Sequence, residues 1–108
     1  MKPRLELSLK SQSQIKGGMG KGGKLGQLEA VSHIRKFLAQ RELQIPSRSI
    51  RMMNEERWLV FERGPRSIGV DREAGVWQKD SPDAVWRCIE KPCTVGGAVM
   101  AADFLAED

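Results

Sequence analysis

The chain has 108 residues, of which 40% are hydrophobic, and a formal net charge of +4. This length has room for one core, and the apolar fraction is too high for a wholly disordered chain. No apolar run approaches the roughly 20 residues of a membrane-spanning helix, so we expect no membrane association. With only two cysteines, Cys88 and Cys93, a disulfide-stapled secreted domain is disfavoured, and we expect a small soluble cytoplasmic protein with free thiols.

The positive charge is concentrated at the N-terminus. Residues 1–27 contain six Lys or Arg against Glu6 alone, a net charge of +5, whereas residues 28–108 contain twelve against thirteen acidic residues, a net charge of −1. We therefore predict a basic Gly/Lys-rich arm or linker over residues 1–27 and a single small α+β domain over residues 28–108. A basic arm on a near-neutral body favours binding to polyanions or to an acidic protein surface.

Near the start of the arm, residues 4–10 alternate leucines with polar residues. This period of two is typical of a half-buried strand. An isolated strand leaves its backbone groups unpaired, so it needs the edge of a sheet in the same chain or in another molecule. Disorder is the alternative interpretation for this segment.

Six glycines and three lysines follow within residues 16–26. Residues 18–24 resemble the first seven positions of a Walker A loop, and residues 16–21 resemble the deviant form of this motif in partition ATPases. Leu25 and Gly22 stand where each motif has the Ser or Thr that binds magnesium. No apolar strand precedes the run, and more glycines follow the lysine where a helix should begin. The run is therefore interpreted as a flexible basic linker, and a nucleotide site is not expected.

A helical pattern begins at Leu28. Four apolar residues recur on one stripe of this helix: Leu28, Val31, Ile34 and Leu38. His33 falls on the polar side. We expect the helix to end near Leu43, because Pro46 disfavours helical backbone in the residue before it.

The middle of the chain has the short segments and turns of an antiparallel meander. The segments with strand character are residues 49–53, 57–63, 67–71, 76–79 and 85–89. Gly64-Pro65 interrupts the pattern, and Gly75 is expected to supply a positive φ in the turn at residues 72–75.

A second helix is predicted from Val95 to Leu105, with Thr94 as its N-cap. The predicted fold class is α+β. It has a four-stranded antiparallel meander sheet with an N-terminal and a C-terminal helix packed on one face, in the order α-β-β-β-β-α. The basic Gly-rich arm, with its candidate extra strand, precedes this domain.

Each of the three tryptophans, Trp58, Trp77 and Trp86, lies on a predicted strand. Leu59 and Phe61 lie on one face of their strand, and Trp58, at an odd spacing from both, lies on the other. Either Trp58 or the pair Leu59 and Phe61 therefore faces away from the helices. An exposed Trp58 beside strand arginines would stack nucleobases, whereas packing into the core is the alternative. The arginines in question are Arg51, Arg57, Arg63, Arg66 and Arg87.

The residue types that carry catalysis or bind metals are sparse. His33 and the two cysteines have no metal-ligand spacing, and the carboxylates fall in or beside predicted turns, where charges are solvated. Cys93 precedes a helix N-terminus, where a thiolate is stabilised; His33 assists it only if the fold brings the two together, and no third orienting group is evident. We therefore predict no catalytic residue, no metal and no cofactor.

The sequence predicts a small non-enzymatic protein that binds nucleic acid, DNA or RNA, without sequence specificity, or acts as an accessory to nucleic-acid processes. The arm contributes phosphate contacts through Lys10, Lys16, Lys21 and Lys24. The strands contribute a second patch made of Arg51, Arg57, Arg63, Arg66 and Trp58. The alternative is a protein-interaction module, an adaptor, inhibitor or homodimer, in which residues 4–10 add to a sheet edge.

Overall fold

Two helices flank five strands in the computed structural model, which describes residues 23–107. The elements are α1 (Gln27–Gln40), β1 (Arg48–Arg51), β2 (Arg57–Arg63), β3 (Arg66–Val70), β4 (Val76–Lys79), β5 (Arg87–Glu90) and α2 (Val95–Ala106). The candidate strand at residues 4–10 lies outside the described residues, as does most of the predicted arm.

The strands form one antiparallel sheet in the order β1-β2-β3-β4-β5. The α+β class, the meander and the placement of both helices on one face are confirmed. The predicted number of four strands was wrong, because the sheet has five. Gly64-Pro65 does not interrupt the sheet: it forms a two-residue turn that pairs Arg63 with Arg66, with Gly64 at a φ of 59°.

The loop between β3 and β4 also differs from the prediction. Its positive φ, 66°, belongs to Ala74 and not to Gly75. Gly75 is needed for a different reason: a Cβ there would meet the carboxylate of Asp71. The glycine therefore allows a close approach of the backbone to a buried side chain.

Helix α1 buries Ala30, Val31, Ile34 and Leu38, as its apolar stripe predicts, except that Leu28 is 74% exposed. The helix ends at Gln40, earlier than expected, and its stop is local. Glu42 takes a φ of 62°, and the Leu43 N–H donates to the Leu38 carbonyl at 2.9 Å. This is the pattern of a Schellman motif, which ends the helix before Pro46 has any influence.

Helix α2 begins after Thr94, the predicted N-cap. The Thr94 side chain does not cap the helix itself. Its backbone N–H and its hydroxyl both donate to Glu90 Oε1, at 2.8 and 3.0 Å. A Cβ on Gly97 would collide with that carboxylate, so Gly97 gives Glu90 access to the start of the helix.

The two helices lie side by side and parallel on one face of the sheet, which we call the inner face. At their N-terminal ends the Leu25 N–H donates to the Cys93 carbonyl at 2.8 Å, and near their C-terminal ends Arg41 pairs with Asp103 at 2.6 Å. The core between helices and sheet contains Phe61, Ile68, Val70 and Val76 from the strands, with Ala30, Val31, Ile34, Leu38, Ala98, Ala101, Ala102 and Leu105 from the helices. The opposite side of the sheet, the outer face, carries neither helix.

Candidate nucleic-acid interface

The three tryptophans meet on the outer face of the sheet. Strand alternation places the side chains of Trp58 and Phe61 on opposite faces of the sheet. Trp77 on β4 is the register partner of Gly69 on β3. Trp58 stacks on Trp77 with ring centroids 5.7 Å apart and packs at a tilt on Trp86 with centroids 5.3 Å apart. All three side chains are half-buried. The prediction that one of the two sets faces away from the helices is confirmed, and that set is the one containing Trp58.

Gly69 makes this cluster possible. It lies on β3 beneath the rings, and a Cβ there would sit 2.7 Å from Trp58 Cε3 and 3.3 Å from Trp86 Cη2. Any side chain would therefore lift the tryptophans off the sheet. Val60, its neighbour on β2, is 1% exposed, so the rings act as the cover of a small second core.

Asp71 holds Trp77 in place from the end of β3. This carboxylate is 2% exposed, and its Oδ2 accepts a hydrogen bond from Trp77 Nε1 at 2.9 Å. Its Oδ1 accepts from the backbone N–H groups of Glu73 and Gly75 at 2.8 and 2.7 Å. Lys91 Nζ lies 3.5 Å from Oδ2. The buried acid thus organises the loop and orients one ring of the cluster.

The same contacts set the protonation state of Asp71. Burial opposes ionisation, but the hydrogen bonds from Trp77, Gly75 and Glu73 and the charge of Lys91 outweigh it, so the pKa of Asp71 is lowered. Lys91 also lies 3.2 Å from Glu73, and its own pKa is raised by the hydrogen bond to Glu73 and the charge of Asp71. The carboxylate is therefore ionised at neutral pH, and Trp77 has a charged acceptor.

Lys79 and Arg48 both lie on the outer face, and Lys79 contacts one of the rings. Lys79 Nζ stands 4.8 Å from the centroid of Trp86, in cation–π contact, and donates to the Pro82 carbonyl at 3.3 Å. Arg48 is exposed and pairs with Glu62 at 3.0 Å. Trp86 itself directly precedes β5, in the connection from β4, and does not lie within a strand as predicted.

The indole N–H of Trp58 is buried, and no residue within the described range 23–107 accepts a hydrogen bond from it. It lies near Glu56, whose pKa is lowered mainly by hydrogen bonds from Asn54 and the Arg72 backbone, against a smaller effect of burial. A buried donor without an acceptor costs about 1–3 kcal/mol.

The structure does not bring the predicted arginines to Trp58. Arg57 and Arg63 alternate with Trp58 on β2, so they belong to the inner face with Phe61. Arg63 donates to the carbonyls of Leu105 and Glu107, at 2.8 and 3.1 Å.

Arg66 has the same surroundings as Arg63. It donates to the carbonyls of Phe104 and Glu107, at 3.0 and 2.7 Å, and lies over the Phe104 ring at 5.4 Å. Both arginines therefore satisfy the last carbonyls of α2 and interact favourably with its dipole. This gives Arg63 and Arg66 a structural role.

The other predicted arginines lie elsewhere on the sheet. Arg51 ends β1 and Arg57 begins β2, beside the turn that joins these strands, and Arg87 begins β5. Arg51 pairs with Glu55 at 3.2 Å, and Arg57 donates to Ser49 Oγ at 3.2 Å. Arg51 and Arg57 face each other across the strands. They are exposed and solvated, and like Arg87 on β5 they share no face with the tryptophan cluster.

Of the arm lysines, Lys10, Lys16 and Lys21 lie outside the described residues, and Lys24 is exposed just before α1. The structure shows where the arm joins the domain. Leu25 N–H donates to the Cys93 carbonyl at 2.8 Å, and Cys93 N–H donates to the Ala74 carbonyl at 2.7 Å. Ala74 belongs to the Asp71 loop, so the basic segment enters the domain beside the loop that orients Trp77.

The cysteines differ in environment. Cys88 is exposed, whereas Cys93 is buried, and burial together with the charge of Glu90 raises the pKa of Cys93 to about 11. Its thiol donates to the Thr94 carbonyl at 3.0 Å, so it is protonated at neutral pH, and the helix N-terminus does not stabilise a thiolate. His33 bonds its own helix, with Nδ1 2.8 Å from the Glu29 carbonyl.

Over residues 23–107, no three His, Cys, Asp or Glu side chains are grouped so that they could hold a metal ion. Neither helix in that range combines the length and apolar character needed to cross a bilayer. Comparison of the chain with protein-family models, with curated proteins and with solved structures finds no match. The function is therefore argued from the chemistry of the tryptophan cluster and the charge of the arm.

Of the residues in this cluster, only Trp58 was predicted from the sequence as a site residue, and four others were not. Trp77, Trp86, Lys79 and Asp71 join Trp58 only through sheet register and loop geometry. One signal was present in the sequence. Gly69 lies between the β-branched residues Ile68 and Val70, and a glycine inside a strand indicates that a neighbouring group approaches the backbone closely.

Proposed function

We propose that this protein is a non-enzymatic nucleic-acid-binding protein that contacts bases with the outer face of its sheet and phosphates with its basic N-terminal arm. The observation that carries the proposal is the cluster of Trp58, Trp77 and Trp86 on a sheet face that neither helix covers. Half-exposed indole rings on a sheet offer the flat, polarisable surface on which nucleobases stack.

Charge supports the same conclusion. Residues 1–27 hold six basic residues against Glu6, and this segment joins the domain through Leu25, which bonds to Cys93, itself bonded to Ala74 of the Asp71 loop. The strand arginines contribute less than the sequence suggested, since Arg63 and Arg66 cap α2. Their place is taken by Lys79 and Arg48, which lie on the same face as the rings.

The proposal is tested by fluorescence anisotropy of labelled oligonucleotides with the full-length chain. With about four phosphates neutralised, raising salt from about 50 to about 200 mM should weaken binding to a single strand about 50-fold. The double variant Lys16→Gln/Lys21→Gln should weaken binding at low salt and flatten the salt dependence.

Arg35→Gln/Lys36→Gln is the matched control, because it removes the same charge from exposed positions of α1, which lies on the inner face of the sheet. This control should leave affinity within about twofold of wild type, since non-local charge effects are largely screened. Absence of binding at low salt, or equal losses in both double variants, would contradict the proposal.

A second candidate is a protein-interaction module that works by strand addition. The sheet ends in two four-residue strands, β1 and β5, each paired on one side only among the described strands. Such edges accept an additional strand. If residues 4–10 of another copy supply it, light scattering will show a dimer that Leu7→Pro dissociates and Gln14→Pro does not, because proline removes a backbone donor.

A further inference from the structure

We infer that the tryptophan face selects unpaired nucleobases, and that the ring of Trp86 is the position where the first base stacks. This inference rests on the proposed function and specifies the class of nucleic acid bound. It follows from the difference between the three rings in what already covers them.

Trp58 and Trp77 are the enclosed members of the cluster. They stack on each other at an interplanar angle of 27°, Trp58 lies over Gly69, and Trp77 is held by the buried carboxylate of Asp71. Moving either ring would open the small core above Val60. These two rings therefore form a rigid platform.

Trp86 is the member outside the stacked pair. It stands in the connection between β4 and β5 and meets Trp58 at an interplanar angle of 58°. Its ring lies over Gly69 and is also in contact with the ammonium of Lys79, 4.8 Å from the centroid, which a hydrogen bond of 3.3 Å ties to the Pro82 carbonyl. An ammonium at this distance in water holds its place by only about 0.5–1 kcal/mol, so a flat base can displace it.

Displacement leaves Lys79 next to the backbone of the bound strand. Its ammonium then exchanges a cation–π contact for a phosphate contact, so a cation already on the face is reused and no new charge has to be desolvated. The same face thus supplies an aromatic surface and a counter-charge within one side-chain length of each other.

A duplex cannot use this site. Its bases already stack above and below and pair at their edges, so their faces are closed to Trp86. A duplex therefore binds only through its phosphates, chiefly to the arm. A single strand gains the stacking contact in addition, about 1–3 kcal/mol per base, which corresponds to roughly tenfold or more in affinity.

The test compares a single strand of about 12 nucleotides with the duplex of the same sequence, at one salt concentration, using DNA and RNA versions. We expect at least about tenfold preference for the single strand and quenching of tryptophan fluorescence on binding. Trp86→Leu, which keeps an apolar side chain but removes the aromatic face, should weaken single-strand binding about tenfold and leave duplex binding unchanged. Trp86→Phe should retain most of the preference.

The outcomes separate the inference from the function on which it rests. Equal affinity for single strand and duplex, with no effect of Trp86→Leu, would overturn the inference and leave a protein that binds through its arm. Failure to bind either nucleic acid would overturn the proposed function itself. Far-ultraviolet circular dichroism and urea denaturation check that Trp86→Leu is folded, so that a loss of single-strand affinity in the folded variant reports on the ring.

Discussion

The two faces of one sheet are closed in different ways. The inner face presents Phe61, Ile68 and Val70 to two helices and loses nearly all solvent contact. Neither helix of the described residues covers the outer face, and its tryptophans cover one another, with Val60 and Gly69 beneath. A face covered by a second layer is purely structural, whereas a face covered by its own half-exposed rings keeps aromatic surface available to a ligand.

The sharpest test of this difference compares one large aromatic residue from each face. Phe61→Ala should lower the free energy of unfolding by about 3–5 kcal/mol, because it opens a cavity in a fully buried core. Trp86→Ala should cost only about 1–2 kcal/mol, because part of its ring is already in contact with water. Urea denaturation measures both. Equal losses would show that the outer face is a second core of the same kind and would remove the distinction.

Asp71 is expected to give the next largest effect. Asp71→Ala should cost about 3 kcal/mol, since it leaves the N–H groups of Trp77, Glu73 and Gly75 without their acceptor in a buried loop. Near-ultraviolet circular dichroism should change as well, because Trp77 loses its orientation. Glu73→Ala is the control: its carboxylate is exposed and pairs only with Lys91 in the described structure, so a loss above about 0.5 kcal/mol is not expected.

The contribution of Asp71 should also depend on pH in a defined direction. Because its pKa is lower in the folded than in the unfolded chain, the ionised form stabilises the fold at neutral pH. This stability is lost as pH falls below about 4 and through the folded pKa. The gap in unfolding free energy between wild type and Asp71→Asn should therefore narrow on acidification. The difference in unfolding free energy between wild type and Ser67→Ala serves as the reference, because this substitution removes no titrating group.

Gly69 tests whether the rings must lie against the sheet. Gly69→Ala places a methyl group 2.7 Å from Trp58 Cε3 and should cost about 1–3 kcal/mol through the displaced rings. If Trp58 and Trp86 also bind bases, single-strand affinity should fall in the same variant while duplex affinity is kept. A stability equal to that of wild type would mean that the cluster rearranges freely.

The smallest effects are expected at two neighbouring glycines of α2. Gly96→Ala meets nothing closer than Thr94 Oγ1 at 3.7 Å, so it should stabilise the protein by about 0.5–1 kcal/mol through helix propensity. Gly97→Ala should instead destabilise it, because the methyl group displaces the Glu90 carboxylate from Thr94. Thermal denaturation of the pair checks the opposite signs, and shifts of the same sign would exclude the proposed role of Glu90.

The helices and strands were predictable because each follows from local pattern. The apolar stripe through Val31, Ile34 and Leu38 gave α1, and β2 and β4 were found at their observed bounds. The stop of α1 and the positive φ of Ala74 were not predictable in this way. They depend on hydrogen bonds from backbone N–H groups to the carbonyls of Leu38 and Asp71, and many residue types can make such bonds.

The candidate site was less predictable than the fold. Strand phase separates Trp58 from Arg57 and Arg63, and this was readable from β2 alone, but the capping of α2 by Arg63 and Arg66 needs the position of the last helix. The meeting of Trp58, Trp77 and Trp86 depends on register across three strands and a bulge near Trp77. Sequence spacing carries no information on such pairings.

The short hydrogen-bonded path from Leu25 through Cys93 to Ala74 has a consequence for affinity. It fixes the origin of the basic segment one residue away from the Asp71 loop, so on the proposed function phosphate binding and base stacking would act as two linked modules. A strand captured by one module meets the other at an effective concentration that tether length controls, on the order of millimolar for short tethers. If both contacts are made, two interactions that are weak alone would give avidity, and the spacing between them would set the shortest strand that the protein holds.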